Sequence, residues 1–522
     1  MANNGQISDT LPTHATSIDD VLPKYDRPWW RVRHLLTLNL LLIIPLLGNS
    51  CNGYDGSLLN GLQSLPQWRD YFHSPSGTHL GGLSNAYVFG NILCFPFSSW
   101  FSDKFGRRNG LRLGCVTVCI GAGLQCAAQN YAMFLAARMV IGVGSMFIIV
   151  ACPCLVSELA YPTQRGVITA TFGPSWYAGA VIAAWVTYGT NNMGVGNTWA
   201  WRLPSLLQGF IPCIQLVGSF FIPESPRYLV NVGREEEAKA VLMEYHAGND
   251  PAHNSLVEFE MNEIKLQISY ERASQEVSWK AFIQTKANQH RLFIVVWLSI
   301  TQQACGNGLV SYYLNLILNS IGITSARRQL VINGGLMIYN LGTAIIAGLI
   351  VGRVPRRATF IVGLSSMLVC YVIWTVLSAI NQQRNFEQKS LGQGVLAMIF
   401  LYYAIYNVCM NALPNLYITE VLPYYLRAKG TTLFSLGNAL TNVYNGFVNP
   451  VTMQAISWKY YIVFCCLLLV ELLVIAYTFP ETYGYTLEES AEAFGDGVLG
   501  NDSGKASKLE DIESTHVDFV KH

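Results

Sequence analysis

The chain has 522 residues, 51% of them hydrophobic and only 12% charged, against roughly 25% charged in an ordinary soluble domain. With 33 Lys+Arg against 32 Asp+Glu the net charge is +1, so nothing recommends nucleic acid as a partner. The composition excludes a soluble enzyme and selects a multispanning membrane protein. The 13 cysteines lie almost all in apolar runs and none has zinc-ligand spacing with histidine. They read as small core residues, with no disulfide framework, metal site or cofactor implied.

In chain order, residues 1–34 form a polar tail without the apolar core of a cleavable signal, expected to be disordered and cytoplasmic. At about 20 apolar residues per crossing, spans are predicted at 35–59, 81–101, 111–129, 132–156, 168–189 and 203–222. A charged linker, 223–290, mixes Arg234-Glu-Glu-Glu-Ala-Lys239 with Ala238, Val241 and Leu242 at helical spacing and is expected to form short surface helices, a cytoplasmic lid. Six further spans follow at 291–319, 329–351, 358–380, 393–418, 430–455 and 458–479, then a polar tail, 480–522. The fold class is an all-α membrane protein of twelve transmembrane helices in two six-helix bundles.

Orientation comes from the short loops. Arg27, Arg31 and Arg33 precede the first span, Lys104, Arg107 and Arg108 follow the second, and Arg165 follows the fourth. Arg353, Arg356, Arg357, Arg427 and Lys429 occupy the equivalent loops of the second half. The positive-inside rule places these loops, the linker and both termini in the cytoplasm. Arg327 and Arg328 are a minority against it.

The first span carries one carboxylate, in Gly53-Tyr54-Asp55-Gly56, and an ionisable group there is expensive enough to need a partner and a purpose. Arg138 is the only charge between Tyr131 and Val156. Asp55 lies 22 residues after Arg33, and Arg138 lies 20 residues before Glu158. Both therefore sit about 30 Å from the same membrane face at 1.5 Å per residue. The pair either locks two helices together or is a proton-titrating carboxylate held against an arginine inside a transporter.

The halves repeat each other. Asp103-Lys-Phe-Gly-Arg107-Arg108 recurs as Gly352-Arg-Val-Pro-Arg356-Arg357, the Glu158 to Gly166 stretch as Glu420 to Gly430, and Pro223-Glu224-Ser-Pro-Arg227 as Pro480-Glu481-Thr-Tyr-Gly484. The separations are 249, 262 and 257 residues, the mark of a duplicated six-helix unit with both copies oriented alike. Asp103, Arg107, Arg108, Glu158, Arg165, Glu224 and Arg227, with Arg356, Arg357, Glu420 and Arg427 opposite, put both signs of charge at helix ends on one face. There they can pair across helices and between halves. The second-half set is weaker, because Gly352 stands where the first has Asp103.

These motifs, with Arg138-Met-Val-Ile-Gly142-Val-Gly144, Gln302-Gln303 and Pro480-Glu481-Thr482, resemble the sugar porter family of the major facilitator superfamily over residues 35 to 490. Gly56 to Trp68 and Gly306 to Tyr313 further resemble its fungal lactose and cellodextrin permease branch. The resemblance implies that the charged helix ends form an inner gate and that Asp55 and Arg138 couple transport to protons. It places sugar-binding positions at Gln302, Gln303, Asn340, Asn438 and Asn442. The family's next asparagine is displaced to Asn307, its fifth-span glutamine replaced by Gly173 and its tenth-span tryptophan by Asn415. Loss of bulk at two positions suits a disaccharide better than a hexose and equally leaves room for a non-sugar substrate.

The residues themselves point the same way. Asn438, Asn442, Asn445 and Asn449 share one helix face, Asn407, Asn411 and Asn415 repeat every four residues, and Asn333 and Asn340 are seven apart. Gln303, Asn307, Ser311 and Asn315 drift slowly around a helix. Neutral amides donate and accept as sugar hydroxyls do, and Tyr312, Tyr313, Trp176 and Tyr177 could stack on a pyranose ring. Amides also glue membrane helices together. The expected function is proton-coupled sugar transport by alternating access, with a facilitative carrier of a sugar, polyol or other small metabolite, or a non-transporting sugar sensor, as alternatives. No catalytic cluster suggests an enzyme. The expected partners are a sugar, a proton and the lipid bilayer, the working unit a monomer, and the location the plasma membrane.

Overall fold

A computed structural model of the chain describes residues 18–484, apart from 24, 26, 195 and 276, together with Phe494. The polar C-terminal tail beyond residue 484, apart from Phe494, and the first part of the N-terminal one lie outside the described residues. Where the N-terminal tail is described it is not devoid of structure, since Ile18–Val21 and Trp29–Arg31 form short helical turns.

Among the described residues there are helices and no strands. Each predicted span falls on a crossing. The first half runs through Arg33–Ser64, Gly77–Phe105, Arg107–Cys126 and Tyr131–Leu159, then a fifth crossing of Pro162–Phe172 and Ser175–Thr190 and a sixth of Trp199–Leu207 and Phe210–Gly218. The second half has a seventh crossing of Lys286–Ala304 and Asn307–Ser320, then Ala326–Ile350 and Arg356–Gln383. A tenth of Lys389–Tyr406 and Leu413–Val421 is followed by Tyr424–Ile456 and Tyr460–Thr478. Among the described residues eight helical stretches are long and apolar enough to span a bilayer, one of which, Tyr424–Thr478, contains the last two crossings.

Two crossings predicted as continuous are interrupted where chemistry gathers. The seventh breaks at Gly306, whose φ of 101° suits a residue without Cβ. The tenth widens into a π-helical turn at Asn407–Ala412, a geometry that turns extra side chains toward functional sites. Elsewhere small residues let helix backbones touch. A Cβ added to Gly53 would meet the Trp176 carbonyl oxygen at 1.7 Å, so the first and fifth crossings pack main chain against main chain beside Asp55.

The chain divides into two compact units. The larger contains all twelve crossings beyond Asn39. The smaller holds Pro226–Val277 with the chain up to Asn39, and it differs from the short surface helices expected of the linker. Its longest helix, Asn254–Gln275, has 22 residues, and it buries a core of its own around Leu229, Ala238, Leu242 and Val257. The buried His246 ring sits 2.8 Å from the Glu260 carboxylate. The linker also ends earlier than 290, because the seventh crossing begins at Lys286.

Candidate functional site

The duplicated motif residues build the same device twice. In the first half the Glu224 carboxylate accepts from the backbone N–H groups of Arg107 and Arg108 at 3.1 and 3.2 Å, while Arg107 pairs with Asp103 at 3.1 Å and lies 3.5 Å from Glu158. The Ser225 hydroxyl donates to Glu158. In the second half Glu481 accepts from the N–H groups of Arg356 and Arg357 at 2.7 and 3.1 Å, Arg356 pairs with Glu420 at 2.9 Å, and the Thr482 hydroxyl donates to Glu420 at 2.6 Å. Each carboxylate thus caps the positive end of a helix dipole. Glu481, Ser225 and Thr482 were legible only as repeat positions, not as members of the set.

All of these pairs lie within one half. Arg165 and Arg427 enter no ion pair among the described residues, the latter lying over the Tyr424 ring at 5.7 Å. Arg227, expected at the gate, instead pairs with Glu271 inside the smaller unit. The halves meet at the opposite end of the helices. Asn60 donates to the Ser311 carbonyl at 3.1 Å and accepts from the Leu314 N–H at 3.0 Å. Gln63 donates to the Tyr312 carbonyl at 2.9 Å, and Asn85 to the Val443 carbonyl at 3.0 Å. The two halves are thus hydrogen-bonded to each other on the side remote from the arginine-rich ends.

Between these levels Asp55 and Arg138 meet as a two-pronged pair, both bonds at 3.2 Å, with the carboxylate 2% and the guanidinium residue 3% exposed. Two neighbours were not foreseen. Arg138 also donates to the Leu83 carbonyl at 2.7 Å, and Gln208 of the sixth crossing donates to Asp55 at 2.8 Å. Asp55 therefore ties the first crossing to the fourth and sixth. Gln208 carried a signal, a polar residue in an apolar span. Glu471 carried the signal that singled out Asp55, being the only charge between Lys459 and Glu481. It is 3% exposed and one of its carboxylate oxygens has no protein partner.

The amides gather unevenly. Gln302 donates to the Met410 carbonyl at 2.9 Å, Asn307 to the Tyr406 hydroxyl at 2.9 Å, and Ser311 joins Asn307 and Tyr403 at 2.9 and 2.7 Å. Asn407 accepts from Tyr177 at 2.7 Å, across the halves, and donates to Thr343 at 2.8 Å. Asn442 is half-buried, three residues before Asn445 on the eleventh crossing. Asn340 is fully buried with neither end of its amide partnered, and the Asn438 oxygen is likewise unpartnered. Gln303 is half-buried, its carbonyl accepting from Asn445 at 2.6 Å. Asn415 stands apart, exposed and without a side-chain hydrogen bond among the described residues. Tyr313 is buried and donates to the Gly446 carbonyl at 2.7 Å, so it packs helices and presents no open ring face. Tyr403 and Tyr406, just before the π-helical turn, join the site only through the fold, whereas Asn407 was legible in the amide stripe.

A duplicated twelve-helix membrane protein with such a pair and such amides has known counterparts. The chain is 28% identical to a high-affinity glucose transporter of Kluyveromyces lactis over 89% of its own length and 86% of the relative's. It is 27% identical to hexose transporter HXT8 of Saccharomyces cerevisiae over 89% and 83%. Its fold matches the inward open conformation of the xylose transporter XylE from E. coli with a TM-score of 0.71 at 21% identity, covering 87% of this chain and 99% of that one. XylE described as a proton:xylose symporter with a bound bromodeoxyglucose gives 0.69 at 20% identity, over 88% and 99%. Residues 41–494 match the model of the sugar (and other) transporter family, and the chain belongs to that family as a multi-pass transporter of the major facilitator fold.

Proposed function

We propose that the protein takes up a neutral sugar together with a proton by alternating access, as a monomer in the plasma membrane with both termini cytoplasmic. The observation that carries the reading is the Asp55–Arg138–Gln208 cluster. A carboxylate buried at this depth is expensive, and the structure spends an arginine and an amide from two other crossings on it. When the outer face opens, water reaches Asp55 and a proton removes its charge. The attraction of Arg138 and Gln208 then weakens, the first crossing loosens against the fourth and sixth, and the halves can rock. Deprotonation toward the inside restores the cluster and resets the carrier.

Sugar recognition falls to neutral groups. Asn340 leaves both ends of a buried amide unpartnered, a cost of about 1–3 kcal/mol for a lost partner that hydroxyls of a bound sugar offset. Asn438, Asn442, Gln302, Gln303, Asn307 and Asn415 are proposed to supply the further donors and acceptors. The relatives named for glucose and hexoses support a sugar ring as the unit recognised. A Cβ at Gly173 would meet nothing within 4 Å and Asn415 is exposed, which favours room for a second ring.

Asp55→Asn tests the reading because the amide mimics the protonated carboxyl in shape without titrating. In a transport-null host the variant is expected to lose accumulation against a gradient and sugar-induced alkalinisation of the medium, while exchange between two sugar-loaded faces survives. Proton-dependent accumulation by the variant would establish that Asp55 does not couple, and facilitated transport would replace symport.

A further inference from the structure

We propose that Tyr25, His34 and His253 form a pH-sensitive clasp, which docks the folded linker onto the start of the first crossing and lets go of it in acid. All of its parts belong to the smaller unit. His34 is the second residue of the helix Arg33–Ser64, ahead of the apolar span and on the same helix as Asp55. Residues 246–253 make the turn that follows the linker helix Glu235–Tyr245.

The His34 ring is gripped at both nitrogens. Its Nε2 lies 3.2 Å from the Tyr25 hydroxyl. Its Nδ1 lies against Gly248, where an added Cβ would meet that nitrogen at 2.6 Å and where a φ of 65° suits a glycine. The turn therefore approaches the ring with bare main chain. Tyr25 also stands edge-on to the His253 ring, centroids 6.0 Å apart, and His253 donates from Nδ1 to the Ala247 carbonyl at 3.2 Å. One hydroxyl and one glycine thus join the foot of the crossing to the turn, with a second imidazole behind the same tyrosine.

This contact suits a neutral His34 and not a charged one. A neutral imidazole carries one N–H and an imidazolium two. A proton on Nε2 can be shared with the Tyr25 oxygen, whereas a second one, on Nδ1, faces the glycine with no protein acceptor among the described residues. The ring is half-buried, and His253 and His246 both oppose a charge on it. The carboxylates nearby are engaged elsewhere. Glu260 holds the His246 ring at 2.8 Å, and Asp250, which acts on Tyr25, caps the turn by accepting from the Ala252 N–H at 3.0 Å. Arg31 and Arg33, beside His34 in the chain, are exposed and add only positive charge. Burial first, and the two imidazoles second, hold docked His34 below the usual histidine value, about 6.5. Docking is complete above that value, where the docked and the released ring are both neutral. It is lost as pH falls below it, because the released ring binds the proton more tightly.

The connectivity of the chain carries this release beyond the linker. The linker joins the sixth crossing to the seventh, so when docked it ties the segment between the halves to the helix that bears Asp55. In acid the tie is undone and turnover falls. That last step rests on the uptake reading above, in which a symporter acidifies the compartment it feeds and the clasp then slows it. The docking itself does not rest on it.

Hydrogen exchange of the full-length protein in lipid nanodiscs reads the clasp in peptides covering 246–253. Wild type and His34→Gln share the intrinsic exchange rate of those peptides at any one pH, so their ratio isolates docking. At about pH 8 the two should be equally protected, and at about pH 5.5, on the other side of the usual histidine value, wild type should exchange several-fold faster. His34→Arg, charged at both values, should exchange fast at both, with its size-exclusion profile keeping release apart from misfolding. His253→Gln should reduce the acid effect without removing it. In a transport-null host with the cytosolic pH clamped, glucose uptake by wild type should fall several-fold more in acid than that of His34→Gln. Acid-dependent exchange in a protein that moves no glucose would refute the uptake reading and uphold the clasp. Equal exchange of wild type and His34→Gln in acid, or full protection of His34→Arg at both values, would overturn the proposal, and equal acid sensitivity of their uptake would overturn its role in transport.

Discussion

At the residue scale the protein concentrates its cost in a few buried polar side chains. Gln208 has one evident task, a 2.8 Å hydrogen bond to the Asp55 carboxylate, and a hydrogen bond to a charged group contributes about 1.5–3 kcal/mol. Gln208→Leu is therefore expected to lower the steady-state accumulation ratio several-fold without abolishing uptake, a graded defect beside the complete one of Asp55→Asn. Wild-type accumulation in Gln208→Leu would show that Arg138 alone holds the carboxylate. Asn415 is exposed, and on the reading proposed above a larger group at this position narrows the route. Competition assays should find disaccharides the stronger inhibitors of wild-type uptake, and Asn415→Trp should turn the preference toward hexoses. Equal competition in both proteins would remove the argument from cavity size.

At the scale of elements, what places Asp55 is the contact of the first crossing with its neighbours. The Gly53 position approaches the Trp176 carbonyl so closely that any Cβ must displace main chain, and forced overpacking costs typically 1–3 kcal/mol and occasionally more. Gly53→Ala is expected to lose most of its folded, monodisperse protein in size-exclusion profiles. Gly173→Ala, where a Cβ meets nothing within 4 Å, should match wild type. Comparable yields from the two variants would mean that the first and fifth crossings slide past each other freely. The capped helix starts at Arg107 and Arg356 follow the same logic on the opposite face. Two carboxylates, Glu224 and Glu481, hold equivalent helix ends in equivalent halves, so each bundle carries partners for its own helix ends.

At the scale of the whole molecule, the proposed alternation between outward and inward access depends on the few bonds between the halves. The seam holds because Asn60 both donates to and accepts from the seventh crossing, at 3.1 and 3.0 Å. Removing a partner from a neutral hydrogen bond costs about 1 kcal/mol, so Asn60→Ala should shift the resting population toward the outward-open form by about five- to tenfold. Apparent affinity falls with the fraction of competent state, so the external half-saturation constant for uptake should drop and the constant for efflux should rise. Unchanged constants on both faces would place the control of access elsewhere, in the charged helix ends.

The sequence by itself determined the class, the twelve crossings, the duplication and the depth of Asp55 and Arg138. These depend on hydrophobic length, charge bias and rise per residue, all of which are local or one-dimensional. It also showed the amide stripes, because side chains four residues apart share a helix face whatever the helix packs against. Only the tertiary structure decided which stripes meet. Asn407 faces Tyr177 and Thr343 through a π-helical turn that shifts register in a way no 3.6-residue count anticipates, and Asn415, one turn further, falls outside the cluster. Gln208 and Tyr406 became partners of Asp55 and Asn307 by contacts spanning 153 and 99 residues. Arg227 went to Glu271 because the linker folds on a core of its own. A charge pattern can say that arginines and carboxylates line one face. Which of them pair depends on distances of a few ångströms, and those are set by the packing of helices far apart in the chain.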